Sequence, residues 1–144
     1  MTLERARRGH GERGQILVLF TLCAVAIIAM VGLVVDGGST FAQRRNQQNA
    51  ADLAALAAAD TFLLTNLESL STAAATSTAA SNGFTHGSGG TAVTVTYNYS
   101  HGVTVTVGVA ASHPNAFTPA IGIQSWEVST KASAQAGFPD TGVG

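Results

Sequence analysis

The order of apolar and polar side chains divides the chain into a short, continuously apolar segment and a longer segment in which apolar and polar residues are mixed. Residues 16–35 are twenty consecutive positions without a charge, dominated by leucine, valine, isoleucine and alanine. A helix of this length rises about 30 Å, which is the thickness of the bilayer hydrocarbon. The pattern predicts a membrane-spanning helix over residues 15–36, with a basic tail over residues 1–14.

Two other interpretations of the apolar run compete with a membrane anchor. A cleaved secretory signal has a shorter apolar core and a small-residue cleavage site close behind it. Here the Ala-x-Ala stretch at residues 57–59 lies more than twenty positions beyond the run. A buried core helix needs a larger domain around it than 144 residues easily supply. We therefore favour the anchor.

Positive charge indicates the orientation of this anchor. Four of the seven basic residues precede the apolar run: Arg5, Arg7, Arg8 and Arg13. No basic residue follows the run directly. Basic residues stay on the cytoplasmic side of a membrane helix. We expect a cytoplasmic N-terminus and an extracytoplasmic region over residues 37–136.

Asp36, which is followed by two glycines, ends the uncharged run. We expect it to mark the polar edge of the bilayer. Its carboxylate could also cap a following helix, since aspartate accepts hydrogen bonds from the unpaired N–H groups of a helix start.

The next segment, from Ser39 to about Leu64, is rich in helix-forming residues. Alanines at a spacing of four form rows of small side chains, which let another helix or sheet approach closely. Leucines recur at helical spacing in the same segment. Helix propensity alone could also explain the alanine run, and that alternative stays open. The predicted helix-packing residues are Ala50, Leu53, Ala54, Leu56, Ala57 and Ala58.

A second helix is predicted from about Glu68 to Ala80, with a break near Thr65-Asn66 and a stop at Asn82-Gly83. The apolar period then changes to two, the period of a strand. Valines and tyrosines alternate with threonines over residues 93–99 and 103–109, which predicts a hairpin. Residues 126–136 alternate in the same way and predict a third strand.

These elements predict an α+β fold: an N-terminal transmembrane helix whose helical extension packs on a small antiparallel sheet. The apolar side of the sheet is expected to cover the alanine/leucine helix. Residues 113–123 are expected to form a loop with one helical turn, and residues 137–144 a flexible tail.

Composition and motifs give no sign of catalysis. Charged residues make up 10% of the chain and the net charge is −1, so nothing indicates nucleic-acid binding. The four histidines lack the spacing of a metal site, and no Gly-x-Ser-x-Gly motif occurs. Cys23 has no second cysteine to pair with. We predict a non-enzymatic protein with no catalytic residue, metal, cofactor, nucleic-acid partner or small-molecule substrate.

Three stretches within residues 14–59 together resemble the Tad domain of TadE/TadG-like proteins, which assemble the Flp (tight adherence) pilus. They are Gly-Gln-Ile-Leu-Val-Leu-Phe from Gly14, Gly-Leu-Val-Val-Asp-Gly-Gly from Gly32, and Gln-Arg-Arg-Asn-Gln-Gln-Asn-Ala-Ala-Asp from Gln43, with the alanine run after it.

The resemblance implies a minor pilin or pseudopilin-like component of the bacterial inner membrane. Its partners would be membrane lipid and other pilin-like or pilus-assembly subunits, contacted through the N-terminal helix, in a machine used for adhesion or secretion. It also makes Gly14 a candidate cut site for a prepilin peptidase. Processed pilins carry a glutamate five residues later, where this chain has Leu19, so we favour an uncut anchor.

Two other functions stay open from the sequence. The protein could be a membrane-tethered binding module that uses the region of Tyr97 and Tyr99, or a small domain secreted after signal cleavage.

Overall fold

The computed structural model describes residues 11–100 and 102–137. Helix α1 covers Gly11–Thr65 and helix α2 covers Glu68–Ser81. Three strands follow: β1 (Ala92–Asn98), β2 (Val103–Pro114) and β3 (Ser125–Ala136), with a short 3₁₀ helix, η1, at Thr118–Ile121. The predicted α+β class, with a long apolar helix, a second helix and a three-stranded antiparallel sheet, is confirmed. Most of the predicted basic tail (residues 1–10), His101 and residues 138–144 lie outside the described residues.

Helix α1 is uninterrupted over 55 residues, a length of about 82 Å. The helical segment predicted from Ser39 to about Leu64 is part of α1, and the expectation that Asp36 could cap a following helix is wrong, because α1 runs through it. Each glycine of the Gly37-Gly38 pair costs a helix about 1 kcal/mol relative to alanine. Contacts from the rest of the chain on both sides of this pair hold the helix together, as described below.

The predicted break between the two helices is confirmed. Asn66 has a positive φ of 54°, and its N–H bonds the carbonyl of Phe62 at 2.7 Å. Helix α2 ends where Gly83 adopts a φ of 93°, which turns the N–H of Phe84 back onto the carbonyl of Ala79 at 2.9 Å. This is the Schellman arrangement that glycine permits at a helix end. The two helices form a hairpin, and Ser71 bonds the carbonyl of Ala58 at 2.7 Å.

The sheet is an antiparallel meander in the order β1-β2-β3. Val95 pairs with Val107, and Val107 pairs with Ala132, so apolar residues on the three strands lie side by side. This face turns toward the helices, while the threonines of β1 point outward. The predicted hairpin, third strand and two-faced sheet are confirmed, and β2 extends five residues beyond the predicted strand.

The core between helices and sheet consists mainly of alanine and valine. Both alanine rows of α1 lie in it, fully or almost fully buried: Ala50, Ala54 and Ala58, and Ala51, Ala55 and Ala59. The small side chains let the helix approach the sheet closely, so close contact over a wide area provides the packing that large side chains provide in other cores.

Leu53 and Leu56 lie outside this core, so their predicted helix packing stays a prediction. They lie on the side of α1 opposite the alanine rows, exposed by 41% and 61%. Ala57 is half-buried at the edge of the core.

Candidate functional site: the junction of helix and sheet

The site with the densest polar contacts lies where the sheet returns to α1, at Asp36. This side chain is fully buried. One carboxylate oxygen accepts the N–H of Ala116 at 2.9 Å and the other accepts the N–H of Thr118 at 2.7 Å. The N–H of Phe117 lies between them, at 3.2 and 3.1 Å. The carboxylate thus receives three consecutive backbone N–H groups, which we call the Asp36 cradle.

The cradle changes the interpretation of Asp36. Helix α1 continues through this residue, so no helix starts here for it to cap. The aspartate instead satisfies the backbone just before η1, some eighty residues further along the chain. Charge-assisted hydrogen bonds of this kind are stronger than neutral ones. Asp36 therefore fastens the β2–β3 loop to the helix. Its predicted position at the membrane boundary stays a prediction.

Gly32 makes a close approach one helical turn before the cradle. A Cβ atom built on this glycine would lie 2.8 Å from the Cβ of Phe117, closer than real carbon atoms come. The missing side chain is thus what lets the loop lie against the helix. The sequence offered only a glycine in an apolar run, and nothing in it identified Phe117 as the partner.

Ser39 and His113 complete the junction on the other side of Asp36. His113 Nε2 lies 3.1 Å from Ser39 Oγ, and this hydroxyl donates to the Asp36 carbonyl at 2.9 Å. Since the single hydroxyl proton is already used, the histidine nitrogen is the donor toward serine. A base that activates a serine must accept its proton, and the Asp36 carboxylate is occupied by the cradle. The arrangement braces the helix beside Gly37-Gly38 and does not form a catalytic triad.

A second set of polar contacts holds α1 to β3. Gln47 is fully buried and donates to the carbonyl of Val128 at 3.1 Å. Gln48 bonds the carbonyl of Lys131 at 3.3 Å and the carboxylate of Asp52 at 2.9 Å. The sequence analysis treated both glutamines as helix formers and missed this role, because a backbone carbonyl of a distant strand leaves no signal in the sequence.

The far end of the molecule is closed by an aromatic cluster. Phe62 lies 5.9 Å from the ring of Tyr97 and 6.3 Å from that of Tyr99, centroid to centroid. The hydroxyl of Tyr97 donates to the carbonyl of Glu68 at 3.0 Å, and that of Tyr99 donates to the Glu68 carboxylate. The hydrogen bond to Glu68 raises the pKa of Tyr99 to about 12. Both hydroxyls are thus engaged with α2, while the Tyr99 side chain stays exposed, and the binding-module alternative stays open.

The remaining predicted site residue is Gly14, in the first turns of α1, with open space around it. Its cleavage stays a prediction. Within the described residues, no three His, Cys, Asp or Glu side chains gather as metal ligands would.

Within the described part of the chain, α1 alone is long and apolar enough to cross a membrane, with a mean hydropathy of 2.9 in its most apolar window. Length and apolar composition alone do not identify a membrane span, because core helices of soluble proteins and signal sequences share them. In this chain, however, 6% of the window is buried by the protein, unlike a core helix.

Comparison with known proteins connects this helix to one family. No curated protein and no solved structure matches the chain. The family model that matches is Tad, described as "Putative Flp pilus-assembly TadE/G-like", and the match covers residues 14–61, about a third of the chain. Those residues contain Gly32, Asp36, Gln47, Gln48 and the alanine rows. The segment that builds the junction and the core is thus the segment that matches the Tad family of Flp pilus assembly.

Proposed function

We propose that this protein is a non-enzymatic, single-pass membrane component of Flp pilus assembly, with the role of a minor pilin or pseudopilin. The observation that carries the proposal is the coincidence of the Tad match with helix α1. One half of this helix is suited to lipid, and the other half is built to hold a small sheet.

Exposure along the first half of α1 supports the anchor. The large apolar side chains between Ile16 and Val34 are all more than half exposed. Burying one such side chain is worth about 1.5–3 kcal/mol, and the described part of the chain leaves them uncovered. Lipid is the environment that stabilises such a surface. The preceding arginines support a cytoplasmic N-terminus with the sheet outside, and the resemblance to pilus-assembly proteins favours the bacterial inner membrane.

The second half of α1 supports contact with other subunits. Its outer side carries a leucine face, which consists of Leu53, Leu56, Leu63 and Leu64. Leu64 is 79% exposed, and Asp60 lies among these leucines. Neighbouring exposed apolar side chains of this kind mark interaction surfaces. We assign the leucine face to helices of other pilus-assembly subunits.

Complementation of a deletion strain tests this function. Deleting the gene should abolish or sharply reduce Flp pili seen by electron microscopy, and the wild-type gene should restore them. Val25→Arg should fail to restore them, because an arginine at the centre of the span costs about 2.5–3.5 kcal/mol on insertion. The matched control, Val25→Leu, should complement fully.

Unchanged pili in the deletion strain would overturn the proposed function. Pili restored by Val25→Arg, with the variant found in the soluble fraction, would overturn the anchor alone.

Crosslinking tests the leucine face separately. A photoreactive residue in place of Leu56 should crosslink to pilin-like subunits in native membranes. The same residue in place of Ser129, on the outer side of the sheet, serves as control. Equal yields at both positions would contradict the assignment.

The mass of the mature protein tests processing at Gly14. We expect an intact N-terminus, because Leu19 stands where processed pilins have glutamate. Loss of residues 1–14 would show cleavage by a prepilin peptidase, and loss of the whole apolar run would show a secreted domain.

A further inference from the structure

Residues 115–123 make up all but the last residue of the loop between β2 and β3, a segment that is mostly apolar and carries no charge. We call it the junction loop. Its three large side chains, Phe117, Ile121 and Ile123, are exposed, with Ile121 exposed by 75%. A loop in water seldom gathers its large apolar side chains on the outside.

The position of the junction loop along α1 places it beside the apolar run. Its polar start is held at Asp36, and Phe117 lies against Gly32, which is inside the uncharged stretch. A groove of about 450 Å³ continues between the loop and the helix. It is lined by Ile121 and Phe117 on one side and extends to Ile28 and Val25 on the other. Val25 lies ten residues, or about 15 Å, below the end of the run.

The backbone of the junction loop is prepared for a medium without water. Irregular backbone is tolerated at membrane depth only where its polar groups find partners in the protein. The Asp36 cradle takes the N–H groups of residues 116–118. Those of Asn115, Ala120, Gly122 and Ile123 bond carbonyls of the loop itself or its flank at 3.0–3.1 Å, and Pro119 has none.

The residues above the loop fit the interfacial zone. Trp126 is half-buried at the start of β3 and pairs across the strands with His113. His113 contacts Ser39, three residues beyond Asp36. Tryptophan is enriched where hydrocarbon gives way to headgroups. Apolar side chains, the Asp36 cradle and then Trp126 thus follow one another in the order of a bilayer surface.

We propose that the junction loop enters the membrane leaflet on the C-terminal side of the span, and that the groove between it and α1 binds lipid acyl chains. The chain then touches the bilayer through two segments, and the second fixes the rotation and height of the sheet above the membrane. This inference rests on the membrane anchor of the proposed function. It adds a lipid site that the anchor does not require.

Fluorescence quenching by lipid tests this site in the full chain, reconstituted in phosphatidylcholine/phosphatidylglycerol nanodiscs. An environment-sensitive fluorophore is attached to a single cysteine. One protein uses the native Cys23 in the span. Two others carry Cys23→Ser with either Ile121→Cys or Leu64→Cys. Leu64 is as exposed as Ile121 but lies 28 residues, or about 42 Å, beyond Asp36 along α1. Circular dichroism confirms the fold of each.

The expected result is blue-shifted emission and strong quenching by nitroxide-labelled lipid at positions 23 and 121, and neither at position 64. Quenching at 23 without quenching at 121 overturns the lipid site and leaves the anchor intact. No lipid quenching at either position overturns the anchor itself. Protection of 121 from aqueous iodide without lipid quenching would mean that a second copy of the chain covers the loop, and this also overturns the lipid site.

Discussion

Replacing Asp36 with alanine removes the acceptor on which the junction loop depends. The N–H groups of Ala116, Phe117 and Thr118 then lose the carboxylate that all three share. The loop must open to let water reach them, or keep them buried without partners. In either case the contact between β2, β3 and the lower part of α1 weakens.

The size of the effect follows from these three groups. A buried N–H left without an acceptor costs about 1–3 kcal/mol. At the low end of this range, three groups together cost about 3 kcal/mol, which raises the population of the open loop on the order of 100-fold. We use the low end because these N–H groups lie at the polar start of the loop, beside Asp36, where a small displacement relieves them.

Hydrogen exchange measured by mass spectrometry reports this opening directly. Peptides that cover residues 115–123 should lose protection in Asp36→Ala, while peptides from the alanine rows should change little. Emission from Trp126, the single tryptophan, gives a second readout beside the loop. Asp60→Ala is the matched control, since Asp60 is an exposed acid on the same helix, and we expect it to leave exchange unchanged. If Asp36→Ala exchanges like the wild type, the cradle does not hold the loop.

Three further predictions address the other contacts. Gly32→Ala should displace Phe117 and lower the melting temperature. Gly38→Ala, whose new Cβ meets nothing within 4 Å, should raise the melting temperature slightly through helix propensity. Equal shifts in the two variants would refute the close approach of Phe117 to Gly32. Ala54→Phe should lower the free energy of unfolding by about 1–3 kcal/mol, because it overpacks the buried alanine row. Ala42→Phe, at an exposed position of α1, should leave the stability nearly unchanged. A neutral Ala54→Phe would leave helix propensity as the reason for the alanines. Glu68→Gln should lower the pKa of Tyr99 from about 12 toward its ordinary value, seen in the tyrosinate absorbance. Because the pKa is raised in the folded protein, the stability linked to it is present below pH 10 and is lost as the pH rises toward 12; an unchanged titration in Glu68→Gln would contradict this hydrogen bond.

Regular periodicity made much of the fold predictable. Period-two alternation identified the strands, and Asn66 and Gly83 marked the ends of helices because few other residues adopt their backbone angles. The resemblance to the Tad family rested on local motifs, and the family match covers the same region.

The continuous helix was not predictable, because Gly37-Gly38 is a weak helical sequence on its own. Contacts of Asp36 and Ser39 with the junction loop and His113 brace this segment, and each bridges more than seventy residues. Local propensity cannot register such distant partners, and tertiary contacts routinely override it.

The roles of alanine and leucine on α1 were also reversed by tertiary context. By hydrophobicity, Leu56 is the better core residue, yet Ala54 is buried and Leu56 is exposed. The sheet packs closely against the side of α1 that carries the alanine rows. The sequence of the helix alone does not show which of its sides will face the sheet. Gln47 belongs to the same class, since its partner is a strand carbonyl.

The distance between a label in the apolar half of α1 and a label beside the sheet tests the central claim, that one rigid helix joins them. Spin labels at the native Cys23 and at Asn49→Cys lie 26 residues apart on α1, and pulsed electron paramagnetic resonance in nanodiscs can measure their separation. An uninterrupted helix predicts one narrow distribution near 39 Å, allowing for the label arms, at about 1.5 Å per residue. A broad distribution centred at clearly shorter distances would show a hinge at Gly37-Gly38 and contradict the account.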